Sequence, residues 1–418
     1  MAETSGDPGA YTAVRAAAPL PHVLRDGQFR RFILSTLTWS TGHMLVFMSN
    51  SFLIYDITGS GLWLAALGAS LAVPQFIFAG VGGVLADRVP RRIMLISGSV
   101  IGAVTMSILA VLGFTDTLEP WHIVASGVAF GAALGNDWTA RQAFITNLVH
   151  RSQLVRAVSF DQTSFHISRM VAPIMGGILL SQFGGEGTFT MGAVTFSIAA
   201  LLLVTLRPSQ EIEERQPPLW EGISDAFRKI RSDSIVMSVL VFTAVNAMFT
   251  GGFIYLAPVY AKDIFGGGSV EQGAILTGMG LGAVVGALWL GWRGDVRRAG
   301  MAMLLTNALT VLVIGGFSIS TLLFASVALA FIGGAVSAIH ITLGTVAIQT
   351  RVEDAMRGRV FGIYEMAWGF FPAGGIVFGG LLAAFGPESA LIIGVVGTGI
   401  VTAWIWLASQ AIRSYTLD

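Results

Sequence analysis

Residues 207–233 read RPSQEIEERQPPLWEGISDAFRKIRSD and form the longest polar stretch inside the 418-residue chain. On either side the composition inverts. Charged residues make up 11% of the whole sequence and apolar residues 54%, whereas a soluble domain carries about 25% charged residues. A helix crossing a hydrocarbon core of ~30 Å needs roughly 20 mostly apolar residues. Six runs of that size precede the polar stretch, at 32–55, 61–86, 93–115, 121–149, 154–182 and 188–206. Six more follow it, at 235–261, 270–291, 300–319, 321–350, 359–385 and 388–409. The pattern predicts an all-α polytopic membrane protein with twelve transmembrane helices in two pseudo-symmetric six-helix halves. The expected organisation is a cytosolic N-terminal tail over 1–29, which lacks an apolar signal core, and a first half over 30–206. A linker over 207–233, a second half over 234–410 and a short tail over 411–418 complete it. Within the linker, Trp220, Ile223, Phe227 and Ile230 recur at spacings of three and four, as in a helix lying on a membrane surface.

Cation placement tests the span count. With the N-terminus inside, 21 of the 24 Lys and Arg residues fall in the tails or in loops on the inner side, as the positive-inside rule requires. Only Lys262 falls outside, while Arg141 and Arg169 lie within spans. A wrong count would scatter these charges. Both termini of this multi-pass protein are therefore expected in the cytosol.

Composition also narrows the chemistry. Net charge is zero and cysteine is absent, so no basic surplus addresses nucleic acid, and thiolate metal sites and cysteine nucleophiles are excluded. The only lysines are Lys229 and Lys262, with no G-x-x-x-x-G-K-[ST] loop, H-E-x-x-H or G-x-S-x-G motif, so ATP hydrolysis and other enzymatic readings lack support. No cofactor and no metal are expected.

The halves echo one another. RSQLVRAVSF at 151–160 and EDAMRGRVFG at 353–362 each open a span after a basic loop, and APIMGGILLSQFG at 172–184 pairs with FPAGGIVFGGLLAAFG at 371–386. The loop DRVPRR at 87–92 has a weaker counterpart, GDVRR, at 294–298. Internal repeats of this kind build secondary transporters.

GGVLADRVPRR at 82–92 resembles the signature loop between spans two and three of the major facilitator superfamily. Further similarity lies in Asp56-Ile57-Thr58-Gly59-Ser60 after span one, Pro74 within span two, and Arg141-Gln142-Ala143 late in span four. Together with Ser168-Arg169-Met170-Val171-Ala172-Pro173-Ile174-Met175-Gly176-Gly177 in span five, these resemble the branch of enterobactin exporters and macrolide-efflux proteins over roughly residues 30–410. Three departures stand out: Pro90 replaces the usual Gly of the loop, Ala172-Pro173 replaces Gly-Pro, and the early Arg of span four is missing. The resemblance implies a major facilitator fold, a location in the cytoplasmic (inner) membrane, and a gating loop formed by Gly83, Asp87, Arg88, Arg91 and Arg92. It also implies an antiporter-like motif at Pro173, Gly176 and Gly177, where small residues permit close helix approach and Pro a bend.

Ionisable residues inside spans are costly and default to functional candidates. Asp137 and Arg141, four apart on one helix, can neutralise each other. On span five Gln162, His166, Arg169 and Pro173 form one polar stripe. Counted at ~1.5 Å per residue from Arg156, Arg169 lies ~20 Å along and needs a partner, a carbonyl cluster or a water-filled cavity, while Asp161 lies only ~8 Å along, near the interface. Glu365 is the acid well inside the second half. Asp161, Glu365 and then Asp137 rank as proton-coupling candidates; Arg141, His166, Arg169 and His340 are candidate intramembrane polar or substrate contacts. Trp39, Met44, Phe249, Phe253, Tyr255, Trp368, Phe370 and Phe371 would suit a bulky, partly apolar solute. With direction and substrate class taken from the resemblance, the expected function is proton-coupled export of a small, partly hydrophobic molecule (a siderophore, macrolide or other drug-like compound) by alternating access, with the protein a monomer. Its partners would be that substrate, protons and the lipid bilayer, with no nucleic acid. The alternatives are uptake or lipid translocation by the same fold, or a non-transporting assembly or sensing protein.

Overall fold

The computed structural model describes residues 24–86, 89–149, 153–207, 227–294, 296–353, 356, 360, 363–364 and 366–416. Every described element is helical. In chain order they are α1 (Gly27–Thr58), α2 (Gly61–Ala86), α3 (Arg91–Phe114), α4 (Pro120–Ile145), α5 (Leu154–Val204), α6 (Ser234–Val259), α7 (Ser269–Arg293), α8 (Ala299–Ser318), α9 (Leu323–Arg351), α10 (Phe370–Phe385), α11 (Pro387–Ala408) and α12 (Gln410–Ser414). A short π-helical turn, Tyr260–Ile264, ends α6. Asp87, Arg88 and Glu365 lie outside the described residues, as do most of the tail and linker. Of the amphipathic linker stretch, 227–230 is described as helical, with Ile230 buried and Phe227 exposed.

Local chemistry sets the ends. Asp26 accepts a hydrogen bond from Gln28 N at 2.7 Å to cap α1, and Gly59 closes it in the left-handed region at φ 59°. Asp233 caps α6 by accepting from Ile235 N and Val236 N. Spans five and six run together as α5, 51 residues long, and part at Gly184, whose φ of 66° and ψ of −172° reverse the chain. A side chain at that φ would be strained.

Among the described residues eight helical segments are long and apolar enough to cross a membrane, and 156–204 contains the two passes of α5. α1 and α4 carry more polar residues in their interiors and α10 is shorter. The outward surface is apolar, with Leu201, Leu288, Leu312 and Leu407 exposed, which only lipid can cover at that extent.

Two bundles result. In the first, α1 and α3 pack on α5 and α2 on α4; in the second, α7 packs on α9, α6 on α10 and α8 on α9 and α11. They meet through α5 against α7 and α2 against α10. One apolar core draws on both bundles, including Met48, Phe189, Tyr255, Ile275 and Phe378. The other two each belong to one bundle and sit toward the arginine-rich end: one around Phe32, Phe144 and Leu203, the other around Phe242, Met303 and Tyr364. The halves therefore adhere at the arginine-poor end, and among the described residues no apolar core joins them at the other.

Candidate functional site

A buried charge cluster joins α1, α4 and α5. Arg141, fully buried, places Nε 3.2 Å from Asp137 Oδ2 one turn earlier on α4. Its Nη1 donates to Thr36 Oγ1 of α1 at 3.0 Å, and that hydroxyl donates onward to Asp161 Oδ1 of α5 at 2.8 Å. Gln142 Nε2 stands 3.5 Å from Asp161 Oδ2. The guanidinium also lies over the Trp39 ring, 4.6 Å from its centre, a cation–π arrangement that favours charge away from water. Two carboxylates thus share one guanidinium, and Asp137 Oδ1 and Arg141 Nη2 lack hydrogen-bond partners among the described residues. Rise along the helix suggests that Asp161 sits near the interface; the structure shows it wholly buried, because α1 and α4 cover it. Two turns further, Ser168 Oγ accepts from Ser40 Oγ at 2.7 Å, which extends the α1–α5 seam.

The span-five motif works on two faces. A Cβ added at Gly176 would stand 2.8 Å from Met48 Sδ of α1, and one at Gly177 2.5 Å from Ser269 O of α7. The Pro173 and Arg169 carbonyls lie against Gly273 and Gly280, each 2.7 Å from where a Cβ would be. Adjacent glycines thus let α5 touch both its own bundle and the other. Thr163, His166, Met170, Pro173 and Gly177 follow one stripe at spacings of three and four. Its Pro173–Gly177 end is packed on α7, whereas Thr163 and His166 are exposed. The stripe marks where the halves part.

At the arginine-poor end polar ties cross between the bundles. Lys262 Nζ pairs with Asp56 Oδ1 at 2.5 Å, Tyr55 Oη donates to Asp263 Oδ2, Gln272 Nε2 donates to Ser51 Oγ at 3.1 Å and Ser269 Oγ donates to the Gly177 carbonyl at 2.9 Å. Phe47 of α1 meets Tyr255 and Phe371 with ring centres 5.2 and 5.9 Å apart, forming an aromatic roof across the halves.

The remaining candidates separate. Gly83 lies in α2 and Arg91 opens α3. Arg92 donates Nε to the Leu203 carbonyl at 3.0 Å and a second nitrogen to Val204 O, so it caps carbonyls of the last turn of α5. His340, buried in α9, meets Thr306 and Asn307 of α8 at 3.2 Å and stands edge-on to Phe242; it ties two helices of the second half, far from the charge cluster in sequence and in a different core. Reading the sequence alone passes over Thr36, His43, Tyr55 and Asp263. The first two lie on an α1 stripe, Thr36, Ser40, His43, Phe47 and Asn50, that the same search for three- and four-residue spacings would have found; the Tyr55 and Asp263 pairing has no such signal.

Comparison with known proteins agrees with this architecture. The family model described as transmembrane secretion effector (MFS_3) matches residues 16–414. The chain belongs to the major facilitator superfamily. The enterobactin exporter EntS of Citrobacter koseri is 27% identical over 359 residues, covering 84% of this chain and 85% of that protein; its Shigella boydii counterpart is 28% identical over the same shares. Among solved structures, the nucleoside transporter NupG superposes with TM-score 0.68 at 16% identity, covering 93% of this chain and 100% of that one. A bacterial homologue of the human lysosomal transporter Spinster, described as inward-facing and unoccupied, gives 0.71 at 14% identity, covering 94% and 99%. The protein is a multi-pass membrane transporter of the major facilitator fold, and not an enzyme.

Proposed function

We propose that this transporter exports a small, partly hydrophobic molecule from the cytosol in exchange for protons, by alternating access between halves spanning 30–206 and 234–410 and joined by the linker 207–233. The observation that carries the reading is the Asp137–Arg141–Thr36–Asp161 cluster. One guanidinium and two acids in a low-dielectric site balance when a single proton is held, and burying an unbalanced charge is costly. The acids belong to α4 and α5, and α5 also forms the seam with the other half, so proton occupancy can bias how α5 packs.

Export is supported by the kinship with enterobactin exporters. By the positive-inside rule the arginine-rich end faces the cytosol, so the packing corresponds to an inward-open state of a monomer in the cytoplasmic membrane, both termini inside. In this reading Asp87, Arg88 and Arg91 latch the cytosolic side when the transporter turns outward, while Arg92 holds α5 to α3. Glu365 stands as a second coupling acid. The test uses inverted membrane vesicles with an imposed gradient, acidic inside, and follows uptake of siderophores, macrolides and lipophilic dyes. Gradient-driven uptake lost in Asp161→Asn is the expected result; uptake that persists unchanged in both Asp161→Asn and Asp137→Asn removes the cluster from the coupling.

A further inference from the structure

The space between the halves is not lined evenly in charge. Arg169 lies on α5 between Gly176, which packs on α1, and Pro173 and Gly177, which pack on α7, so helix geometry places it at the junction of the two halves. It is half-buried, and among the described residues it has no carboxylate within ion-pair distance and no hydrogen bond; its one close neighbour of note is the Phe165 ring, 6.0 Å from the guanidinium carbon. Arg169 acts electrostatically on both His43 of α1 and His166 of α5, so three basic side chains converge there. His43 stacks between Trp39 and Phe130, with ring centres at 5.5 and 5.9 Å, and its Nδ1 is buried without a hydrogen-bond partner among the described residues. The two nearby acids of this half, Asp137 and Asp161, are buried and engaged by Arg141 and Thr36, so they do not supply the missing counter-charge. Above lies the aromatic roof of Phe47, Tyr255 and Phe371.

A guanidinium inside a membrane span with no anion beside it is expensive unless a ligand or water compensates it. We infer that Arg169 is the ligand for the anionic group of the substrate, with His43 as a second polar contact and the rings of Phe47 and Phe371 receiving an aromatic or flat apolar body. The substrate class is thus an aromatic anion, such as an aryl carboxylate or an acidic phenol, rather than an amphipathic cation. This assignment rests on the transport reading above and sharpens it: the unpaired guanidinium of Arg169 selects the sign of charge within a partly apolar substrate.

The test is binding without any gradient, so it is independent of proton coupling. Purified transporter in detergent is titrated calorimetrically with 1-naphthoate and with the matched cation 1-naphthylmethylammonium. The wild type is expected to bind the anion more tightly. Arg169→Gln removes a charge-assisted contact and is expected to weaken naphthoate roughly tenfold or more, while Arg169→Lys, which keeps the charge, retains most of the affinity. An unchanged melting temperature for both variants shows that they fold. Tighter binding of the cation, no binding of naphthoate, or Arg169→Gln within about twofold of wild type each overturns the inference. Arg169-dependent binding together with failed gradient-driven uptake would instead leave this site standing and remove the coupling.

Discussion

Opening the arginine-poor end requires breaking the polar ties that cross it, and their strength can be worked from the structure. The Lys262–Asp56 pair is close at 2.5 Å, but its side chains are 39% and 45% exposed, so solvent screening limits it to about 0.2–1 kcal/mol. The Tyr55–Asp263 hydrogen bond is charge-assisted, yet Asp263 is exposed, which places it near the low end of such bonds, about 1 kcal/mol. The double variant Tyr55→Phe/Lys262→Gln should therefore shift the equilibrium toward opening at this end by about 1–2 kcal/mol, roughly 5- to 30-fold. The chain contains no cysteine, so single cysteines report accessibility without background. Ser269, buried at the seam, replaced by Cys should react with a membrane-impermeant maleimide several times faster in the double variant. A cysteine at Thr163, exposed where the halves part, should react more slowly. Labelling rates at both positions equal to those of the parent would refute the claim that these ties hold the end shut.

Other outcomes follow from the same geometry. Asp137→Ala strands the Arg141 guanidinium in a buried site and should destabilise the protein by about 3–5 kcal/mol, read as a large fall in melting temperature, whereas Asp161→Asn, which leaves the Arg141–Asp137 pair intact, should melt close to wild type. Gly68→Leu places atoms where a Cβ already comes within 2.8 Å of the α10 backbone at Gly375; cysteine labelling should show the arginine-poor end propped open and transport lost. His340→Phe removes a tie between α8 and α9 but nothing near the charge cluster, so the pH profile of uptake should keep its shape while stability falls by about 1–3 kcal/mol.

Much of this molecule is legible from its residues one at a time. Runs of apolar residues longer than a bilayer is thick, bounded by Arg clusters, dictate the helices and their alternation, because in lipid each backbone amide must be satisfied within its own segment. Helix periodicity likewise predicts that Asp137 and Arg141 share a face, since residues four apart always do. What it could not decide is which side chains from different helices meet. Thr36 joins Arg141 to Asp161 only because α1 lies across α4 and α5, over sequence separations of 105 and 125 residues. Nor could spacing tell that Gly176 serves one half and Gly177 the other, or that Asp56 and Tyr55 find Lys262 and Asp263. Those pairings depend on how the two bundles dock, and docking is set by shape and by close approach at a few glycines, which no local pattern encodes. Arg169 shows the division most plainly: its cost in the membrane is evident from the sequence, but only the tertiary structure reveals that, among the described residues, no acid was placed beside it.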